Sequence, residues 1–257
     1  MENTLANVNS DWQATARRYV AYFDIMGFKD FVYKNNHETV VLQLKKIHDL
    51  REMFRNSVVG KRVKISVFSD SVLLVTSGDS ELSALDIIFS CSALLSYCMS
   101  IQIPIKGAIS CGEMTANFDD SIFCGKPLIE AYLLHEELYM YGCVLDSVAE
   151  MEIKNRFQSE KLNNMAKYLW FEDKVSFKSG LINHVTLNWF ASKILSNNQH
   201  YALEEIENEL DQFTNSIKSF YNSVSGAPRK YVDNTIDYAE RAKSKTIRTL
   251  KEAGRIK

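Results

Sequence analysis

The segment YVAYFDIMGF, residues 19–28, decides the fold and locates the candidate site. Its first part is apolar and rich in aromatic and β-branched residues, which predicts a buried β-strand ending at Asp24. A carboxylate at the end of a buried strand costs free energy unless it is paired or bound to a metal ion. Gly27 allows a tight turn, and the amides of Met26, Gly27 and Phe28 then lie at the start of a helix, where phosphate oxygens bind readily. The segment therefore predicts a metal ligand beside a phosphate-binding turn.

A second acidic residue lies at the tip of a predicted hairpin. Residues 62–68 (RVKISVF) alternate like a strand, residues 72–76 form a second apolar run, and the polar break Ser69-Asp70 lies between them. In a ferredoxin-like sheet the first strand lies beside the later arm of such a hairpin. Asp24 and Asp70 could therefore share two Mg²⁺ or Mn²⁺ ions about 3.5–4 Å apart. Each aspartate alone is equally compatible with a cap or an Asx-turn, and only the combination favours a metal site.

The rest of the chain completes an α/β (α+β) fold with a ferredoxin-like split βαβ core. Apolar periodicity predicts helices over about 40–54, 80–99 and 128–139, and strands over 105–110, 114–118 and 141–146. We expect residues 1–18 to form a flexible arm and residues 19–147 to form the core domain. Residues 148–257 are expected to be a mostly helical extension packed on the core, with one further strand over residues 180–189.

Composition excludes several classes of protein. The formal net charge of -2 gives no reason to expect nucleic acid or a membrane surface as a partner. The five cysteines form no CxxC pair, which argues against a zinc site or a disulfide framework and fits a reducing cytoplasm. The first residues have no signal-peptide pattern. The most apolar helix candidate, residues 82–103, contains Asp86, several serines and Gln102, so a membrane span is not expected.

Four motifs carry a resemblance to a known family. They are FDIMGF at 23–28, FSDS at 68–71, IKGAISCGE at 105–113 and FCGKPLIEAYLLHEE at 123–137. In this order they resemble the core motifs of class III nucleotidyl cyclases, and they are most similar to those of the bacterial Pycsar pyrimidine cyclases. The resemblance covers about residues 19–147.

The resemblance implies a site and a reaction. Asp24 and Asp70 match the two metal-binding aspartates, and Ile25 matches the residue whose backbone carbonyl also binds a metal ion. Residues 26–28 match the backbone that wraps the triphosphate. Intramolecular attack of the ribose 3′-oxygen on the α-phosphate would release pyrophosphate, in a head-to-tail homodimer. The resemblance further implies a signal generator in antiphage defence, whose cyclic UMP or CMP acts on a separate effector that binds cyclic nucleotides.

Two departures from the purine cyclases favour UTP or CTP as the substrate. Purine cyclases read the base with a Lys four residues before the second metal aspartate, and that position is Ser66 here. They also have an Asp, or a similar residue, three positions before the Gly of the dimerisation helix, and that position is Ile122. Because a pocket built to hydrogen-bond one base rejects another, these changes favour a different base. Ser66 is then a candidate base contact.

A third departure concerns the catalytic groups on the dimerisation helix. Purine cyclases have Asn and Arg there, and the matching positions are Ile129 and Leu133. The missing cation could come from Lys106 or Lys126, although a lone lysine is more often a solvated surface residue. Glu130 is spaced to pair with Lys126. His135 has no second histidine at zinc-binding spacing, and we expect it on the dimer face or the surface.

Three alternatives stay open at this point. The chain could be a purine cyclase with a rebuilt pocket. It could be an inactive module that binds nucleotide and dimerises, which the missing Asn and Arg favour and the presence of both aspartates opposes. It could also be a palm-type nucleotidyltransferase, although the basic groove expected for a strand or template is not evident.

Overall fold

A computed structural model describes residues 12–55, 62–191, 194, 202–222 and 224–256. The strands are β1 (Thr15–Ile25), β2 (Val63–Phe68), β3 (Ser71–Thr76), β4 (Ile105–Asn117), β5 (Ile122–Cys124), β6 (Gly142–Leu145), β7 (Trp170–Phe177) and β8 (Gly180–Leu187). The helices are α1 (Phe28–Lys34), α2 (His37–Arg55), α3 (Glu81–Ser100), α4 (Lys126–Glu137), α5 (Ser147–Arg156), α6 (Glu160–Leu169), α7 (Leu203–Ser219) and α8 (Arg229–Glu252), with a 3-10 turn at Phe220–Asn222.

One mixed sheet organises the described part of the chain. Its strand order is β2-β3-β1-β4-β6-β8-β7, and β5 pairs with β4. The β4–β6 pair is parallel and the others are antiparallel. β1 thus lies between β4 and the later arm of the β2–β3 hairpin, as the ferredoxin-like pattern predicts. The predicted α+β fold is confirmed.

The two faces of β1 have different partners because side chains alternate along a strand. Tyr19, Ala21 and Phe23 are fully buried in the main core, which also contains the apolar side of α3. Tyr22 faces the other side, where its ring packs against His135 of α4 with centroids 4.7 Å apart. Asp24 lies on the same side as Tyr22, at the end of the strand. The sheet therefore presents the acidic residue on the face that α4 covers.

The central strands are longer than the sequence pattern indicates. β1 begins at Thr15, inside the predicted arm, and pairs with β4 from Thr15 opposite Thr115 to Ile25 opposite Ile105. The two strands predicted over 105–110 and 114–118 are one continuous strand, because Gly112 does not turn the chain. Residues 1–11 of the predicted arm lie outside the described residues.

The C-terminal extension continues the sheet as well as adding helices. β8 agrees with the strand predicted over 180–189, and it pairs with β6 of the core and with β7. The prediction of a mostly helical segment missed β7, because its aromatic start fits a strand and a helix equally well. Trp189, Phe213 and Tyr238 from the extension belong to the same buried cluster as the core. The extension is therefore packed on the core through a shared sheet and a shared interior.

The helix α3 is long and apolar enough, by length and composition alone, to cross a membrane. Two thirds of its most apolar window is buried inside the protein, which is typical of a core helix. Its buried Asp86 forms an ion pair with Arg62, which precedes β2. The acidic residue that interrupts the apolar run is therefore paired within the fold.

Candidate metal centre and phosphate turn

The structure brings Asp24 and Asp70 together at one end of the sheet. Asp24 is the penultimate residue of β1, and it lies opposite Ser71 of β3 and Lys106 of β4. Asp70 directly precedes Ser71 in the hairpin turn, and its backbone carbonyl accepts a hydrogen bond from the Ile25 amide at 2.9 Å. The strand end and the hairpin tip are thus tied together through backbone contacts. The predicted neighbourhood of the two acidic residues is observed.

The hairpin turn itself is narrow and locally strained. Phe68 pairs directly with Ser71, which leaves Ser69 and Asp70 as a two-residue turn. Ser69 has a φ of 55°, in the left-handed region that such turns require at a central residue. The Ser71 hydroxyl is bonded to the Tyr22 hydroxyl at 2.7 Å, which ties the turn to β1 a second time. These contacts fix the position of the Asp70 backbone, and therefore the place from which its side chain projects.

The two carboxylates are uncompensated. Neither Asp24 nor Asp70 has a side-chain hydrogen bond or ion pair with any residue that the structure describes, and both are partly buried. Burial and the negative charge of Asp70 together raise the pKa of Asp24 to about 6, against the opposing effect of Lys106. Two half-buried carboxylates without a partner are a favourable arrangement for divalent cations. The residues therefore fit the predicted metal site.

A metal ion here would need further oxygen ligands. Within the described ranges, no group of three or more His, Cys, Asp or Glu side chains could hold a metal ion. Mg²⁺ and Mn²⁺ commonly complete their shells with water and substrate phosphates around one or two carboxylates. The backbone carbonyl of Ile25, the ligand that the resemblance implies, lies next to Asp24 in the chain. Its role as a ligand stays a prediction.

The turn after β1 has free amides at two of the three predicted positions. Gly27 has a φ of 74° and caps α1 without a side-chain hydrogen bond. The Met26 amide donates to the Pro104 carbonyl at 2.8 Å, so it is not free to bind phosphate. The amides of Gly27 and Phe28 have no backbone acceptor in the described part of the chain. Because the Met26 amide is hydrogen-bonded to Pro104, just before β4, the prediction that backbone amides bind phosphate is retained for Gly27 and Phe28.

Lys106 lies near Asp24, but its ammonium group is held by other atoms. It is 3% exposed, and its Nζ donates to the carbonyl oxygens of Leu138 at 3.2 Å and Glu136 at 3.4 Å. These carbonyls belong to the C-terminal end of α4, where a cation is favourable. Burial lowers the pKa of Lys106, and the Glu136 charge opposes this effect. Lys106 therefore caps α4, and a catalytic role for it stays a prediction.

Lys126 lies at the opposite end of α4. Its side chain is 85% exposed and forms the predicted i, i+4 ion pair with Glu130 at 3.9 Å. Because α4 spans 12 residues, its two ends are about 18 Å apart. The structure therefore does not bring Lys126 and Lys106 together within one chain, and a catalytic role for Lys126 also stays a prediction.

Of the two positions proposed to read the base, Ser66 lies on the Asp24 side of the sheet, whereas Ile122, which pairs with Asn117, lies on the opposite side. Ser66 of β2 lies opposite Leu73, which lies opposite Tyr22, so Ser66 and Asp24 share a face two strands apart. Ser66 makes no side-chain hydrogen bond with the residues described. Ile122 is half exposed on β5, at the far end of β4.

The expectation that His135 is a surface or dimer-face residue is wrong. It is 1% exposed, because Ala131 and His135 lie four residues apart on the side of α4 that packs on β1. Its ring packs against Tyr22 and Tyr132, and its Nδ1 is bonded to the Tyr132 carbonyl. Burial lowers the pKa of His135 to about 4, so the ring is neutral at physiological pH.

A cavity of about 660 Å³ opens beside the turn that follows Asp24. One side of it is formed by residues 25–31, and Pro104 and Tyr141 lie at the ends of neighbouring strands. The other side comes from the C-terminal extension, including Phe220 and Tyr231. Sequence reasoning missed this wall, because nothing in the local pattern around Phe220 and Tyr231 indicates that they pack near residues about 200 positions earlier in the chain.

Replacing Asp70 by Asn should lower the pKa of Asp24. In the cation-free protein we expect the Asp24 carboxyl to titrate near pH 6, and in the Asp70→Asn variant at a lower pH, because the like charge is gone. A folded-state pKa above that of the unfolded chain stabilises the protein at low pH, and this stability is lost as pH rises through about 6. Carboxyl ¹³C NMR and urea unfolding between pH 4 and 8 measure both effects.

The matched control is Asp119→Asn, in the exposed turn between β4 and β5, at the opposite end of β4 from Lys106 and Asp24. That variant should leave the Asp24 titration unchanged. A wild-type Asp24 that titrates below pH 4.5, or that does not respond to Asp70→Asn, would contradict the proximity of the two charges.

Comparison with known proteins finds solved structures that are similar to this chain in fold. No protein-family model matches the chain, and no curated protein does. The guanylyl cyclase domain of the RhoGC fusion protein from the fungus Blastocladiella emersonii, solved as a monomeric double mutant, is similar with a TM-score of 0.50 and 14% identity over 67% of this chain and 96% of that chain.

Two further solved structures are similar at 14% identity. The guanylate cyclase domain of RhGC from Catenaria anguillulae, in complex with GTP, has a TM-score of 0.49 over 68% of this chain and 98% of that chain. The adenylyl cyclase CyaB from P. aeruginosa has a TM-score of 0.48 over 68% of this chain and 96% of that chain. Identities this low speak for the fold alone. The chain is therefore similar in fold to a guanylyl cyclase domain, and it carries a C-terminal extension on that fold.

Proposed function

We propose that this chain is a metal-dependent nucleotidyl cyclase, which converts a nucleoside triphosphate into the 3′,5′-cyclic monophosphate and pyrophosphate. The observation that supports it most is the pair of unpartnered carboxylates, Asp24 and Asp70, held side by side at the end of a cyclase-type sheet. A fold alone does not specify an activity, so the proposal depends on this site.

In this proposal the chain binds and orients the triphosphate. Asp24 and Asp70 hold two Mg²⁺ or Mn²⁺ ions together with the Ile25 carbonyl, and the amides of Gly27 and Phe28 bind phosphate oxygens. Bound cations of this kind lower the pKa of a ribose hydroxyl and neutralise charge on the leaving pyrophosphate. The reaction forms a bond between the ribose 3′-oxygen and the α-phosphorus, and breaks the bond from that phosphorus to the pyrophosphate oxygen.

The proposed substrate is UTP or CTP. The residues at the two purine-reading positions, Ser66 and Ile122, support this choice, since neither can replace the long cation or the acid found in purine cyclases. Ser66 has a free hydroxyl on the Asp24 side of the sheet, where it could contact a base. A purine triphosphate is the second candidate, favoured by the similarity of the fold to a guanylyl cyclase domain.

The biological setting follows from the resemblance to Pycsar cyclases. The enzyme would be a cytoplasmic signal generator in antiphage defence, and its cyclic nucleotide would act on a separate effector. The protein would not need nucleic acid or a membrane as a partner.

A homodimer is part of the proposal. Phe68 is exposed on the Asp24 side of the sheet, and three further large apolar side chains are exposed on α4: Ile129, Tyr132 and Leu133. A surface of this kind is typical of a protein–protein interface. A head-to-tail dimer would cover it and could bring the exposed Lys126 of one protomer towards Asp24 of the other.

Incubation with each of the four ribonucleoside triphosphates and Mn²⁺, followed by separation of the products, tests the activity. We expect cyclic UMP or cyclic CMP with an equal amount of pyrophosphate. The Asp70→Ala variant should lose about 1000-fold of the rate, because a metal ligand is removed, whereas Asp119→Ala, in the exposed turn between β4 and β5, should retain it. Cyclic AMP or GMP as the product would move the assignment to a purine cyclase.

Two outcomes would reject the cyclase proposal itself. If no triphosphate yields a cyclic product, the chain is an inactive module or has another activity, and a chain-extended product would favour a nucleotidyltransferase. If pyrophosphate release is unchanged in Asp70→Ala, the reaction does not use this site.

Leu133→Asp tests the dimer. Leu133 is 54% exposed on α4, and a charge there should prevent association and lower cyclase activity by about 100-fold or more. Leu82→Asp is the matched control, since Leu82 is 52% exposed in the first turn of α3, which packs on the opposite face of the sheet from α4. Analytical ultracentrifugation and the cyclase assay give the readouts. A wild-type monomer with full activity, or a Leu133→Asp variant that behaves as wild type, would contradict the dimer.

A further inference from the structure

The C-terminal extension forms one wall of the cavity beside the candidate metal centre. The turn and helix that follow Asp24 line one side, and residues of the extension that include Phe220, Val224 and Tyr231 line the other. Tyr231, in the first turn of α8, lies at the meeting point, because its ring is 5.4 Å from the Lys106 ammonium group. Lys106 in turn lies opposite Asp24 across the β1–β4 pair. A residue distant in sequence is thus placed close to the metal-binding end of the sheet.

The position of the Tyr231 ring is well defined. It packs edge-to-face against Tyr139, with centroids 4.4 Å apart, and nearly parallel to Tyr141 at 6.0 Å. The segment that contains both of these tyrosines is fixed to α8, since Asn234 donates to the Tyr139 carbonyl at 2.6 Å and the Tyr141 amide donates to Thr235 at 2.8 Å. The ring therefore has little freedom to move out of the cavity wall.

The Tyr231 hydroxyl has no protein partner. It forms no hydrogen bond with any residue in the described ranges, although the residue is partly buried. The hydroxyls of Tyr22 and Tyr238, by contrast, are bonded to Ser71 and to the Leu187 carbonyl. Partly buried tyrosine hydroxyls usually have a partner, so an unpaired one beside a cavity is available to a ligand.

The surroundings keep this hydroxyl protonated. Burial raises the pKa of Tyr231, and the neighbouring Tyr139 and the charges of Glu136 and Asp24 raise it further. At neutral pH the group is therefore a hydrogen-bond donor, and the complementary ligand atom is an acceptor such as a phosphate oxygen.

We propose that Tyr231 is a substrate-binding residue contributed by the C-terminal extension, and that its hydroxyl donates a hydrogen bond to a phosphate oxygen of the nucleoside triphosphate at Asp24 and Asp70. This inference depends on the proposed function. A phosphate is chosen over the base because the cavity wall opposite Tyr231 is the turn after Asp24, and because Lys106 places a positive charge beside the ring. The extension then supplies one residue of a binding site whose other residues belong to the core.

Tyr231→Phe tests the inference, because it removes the hydroxyl and keeps the packed ring. Calorimetry with Mn²⁺ and two probes measures binding. One probe is the 3′-deoxy form of the triphosphate that the wild type cyclises, which cannot react, and the other is inorganic tripolyphosphate, which has no base. We expect the dissociation constant of both to rise about tenfold or more, since hydrogen bonds to charged groups are the stronger ones. The melting temperature should stay within about 2 °C of wild type, because the hydroxyl that is removed makes no hydrogen bond with the described residues.

Tyr139→Phe is the matched control, because it removes a tyrosine hydroxyl from the same aromatic cluster and Tyr139 does not line the cavity. It should bind both probes as the wild type does. Wild-type affinity of Tyr231→Phe for both probes would overturn the inference, and a cyclase activity that still depends on Asp70 would leave the proposed function standing.

Three other results would also count against it. Weaker binding of the nucleotide but not of tripolyphosphate would overturn the phosphate contact. An equal loss in Tyr139→Phe would show a structural effect of the cluster. A wild-type protein that binds neither probe and cyclises no nucleotide would reject the inference and the proposed function together.

Discussion

The repulsion between two half-buried carboxylates is the constraint on which the candidate site depends. Asp24 and Asp70 are held at the same end of the sheet by the β1–β3 register and by the bond from the Ile25 amide to the Asp70 carbonyl. Neither side chain has a partner among the described residues, and the pKa of Asp24 is raised to about 6 by burial and by its neighbour. Such an arrangement lowers the stability of the isolated chain, which is typical of functional sites.

The surrounding structure is organised so that this repulsion is tolerated. β1 is paired along its length with β4 and over its second half with β3. The face of β1 that carries Tyr19, Ala21 and Phe23 is buried against α3. Gly107 of β4 lies directly under Phe23, where an added Cβ would come within 2.3 Å of the ring. Close packing of this kind fixes the strand end so that the carboxylates cannot move apart without disturbing the core.

Much of the core could be predicted from sequence because its signals are local. The apolar run that ends at Asp24, the glycine turn and the short link at Asp70 each indicate their own geometry, and the split βαβ pattern predicts that they meet. The buried position of His135 could not be predicted in this way, since it depends on which side of α4 faces β1. The same holds for Lys106, whose ammonium group is held by the carbonyls at the end of that helix.

The extension shows the limit of local reasoning most clearly. β7 and β8 join the core sheet through a contact between β8 and β6, and α8 reaches the cavity through Tyr231. These are contacts between residues far apart in the chain, and no short motif indicates them. The extension is part of the same packed interior as the core, so its position beside the site is set by long-range packing.

The measurement that tests the account most directly is electron paramagnetic resonance of Mn²⁺ bound with a 3′-deoxynucleoside triphosphate. The account predicts two Mn²⁺ ions per protomer, coupled as expected for a separation of about 3.5–4 Å, and loss of the coupled pair in Asp70→Asn. A single uncoupled Mn²⁺, or a coupled pair that persists without Asp70, would show that the two carboxylates do not share a pair of cations.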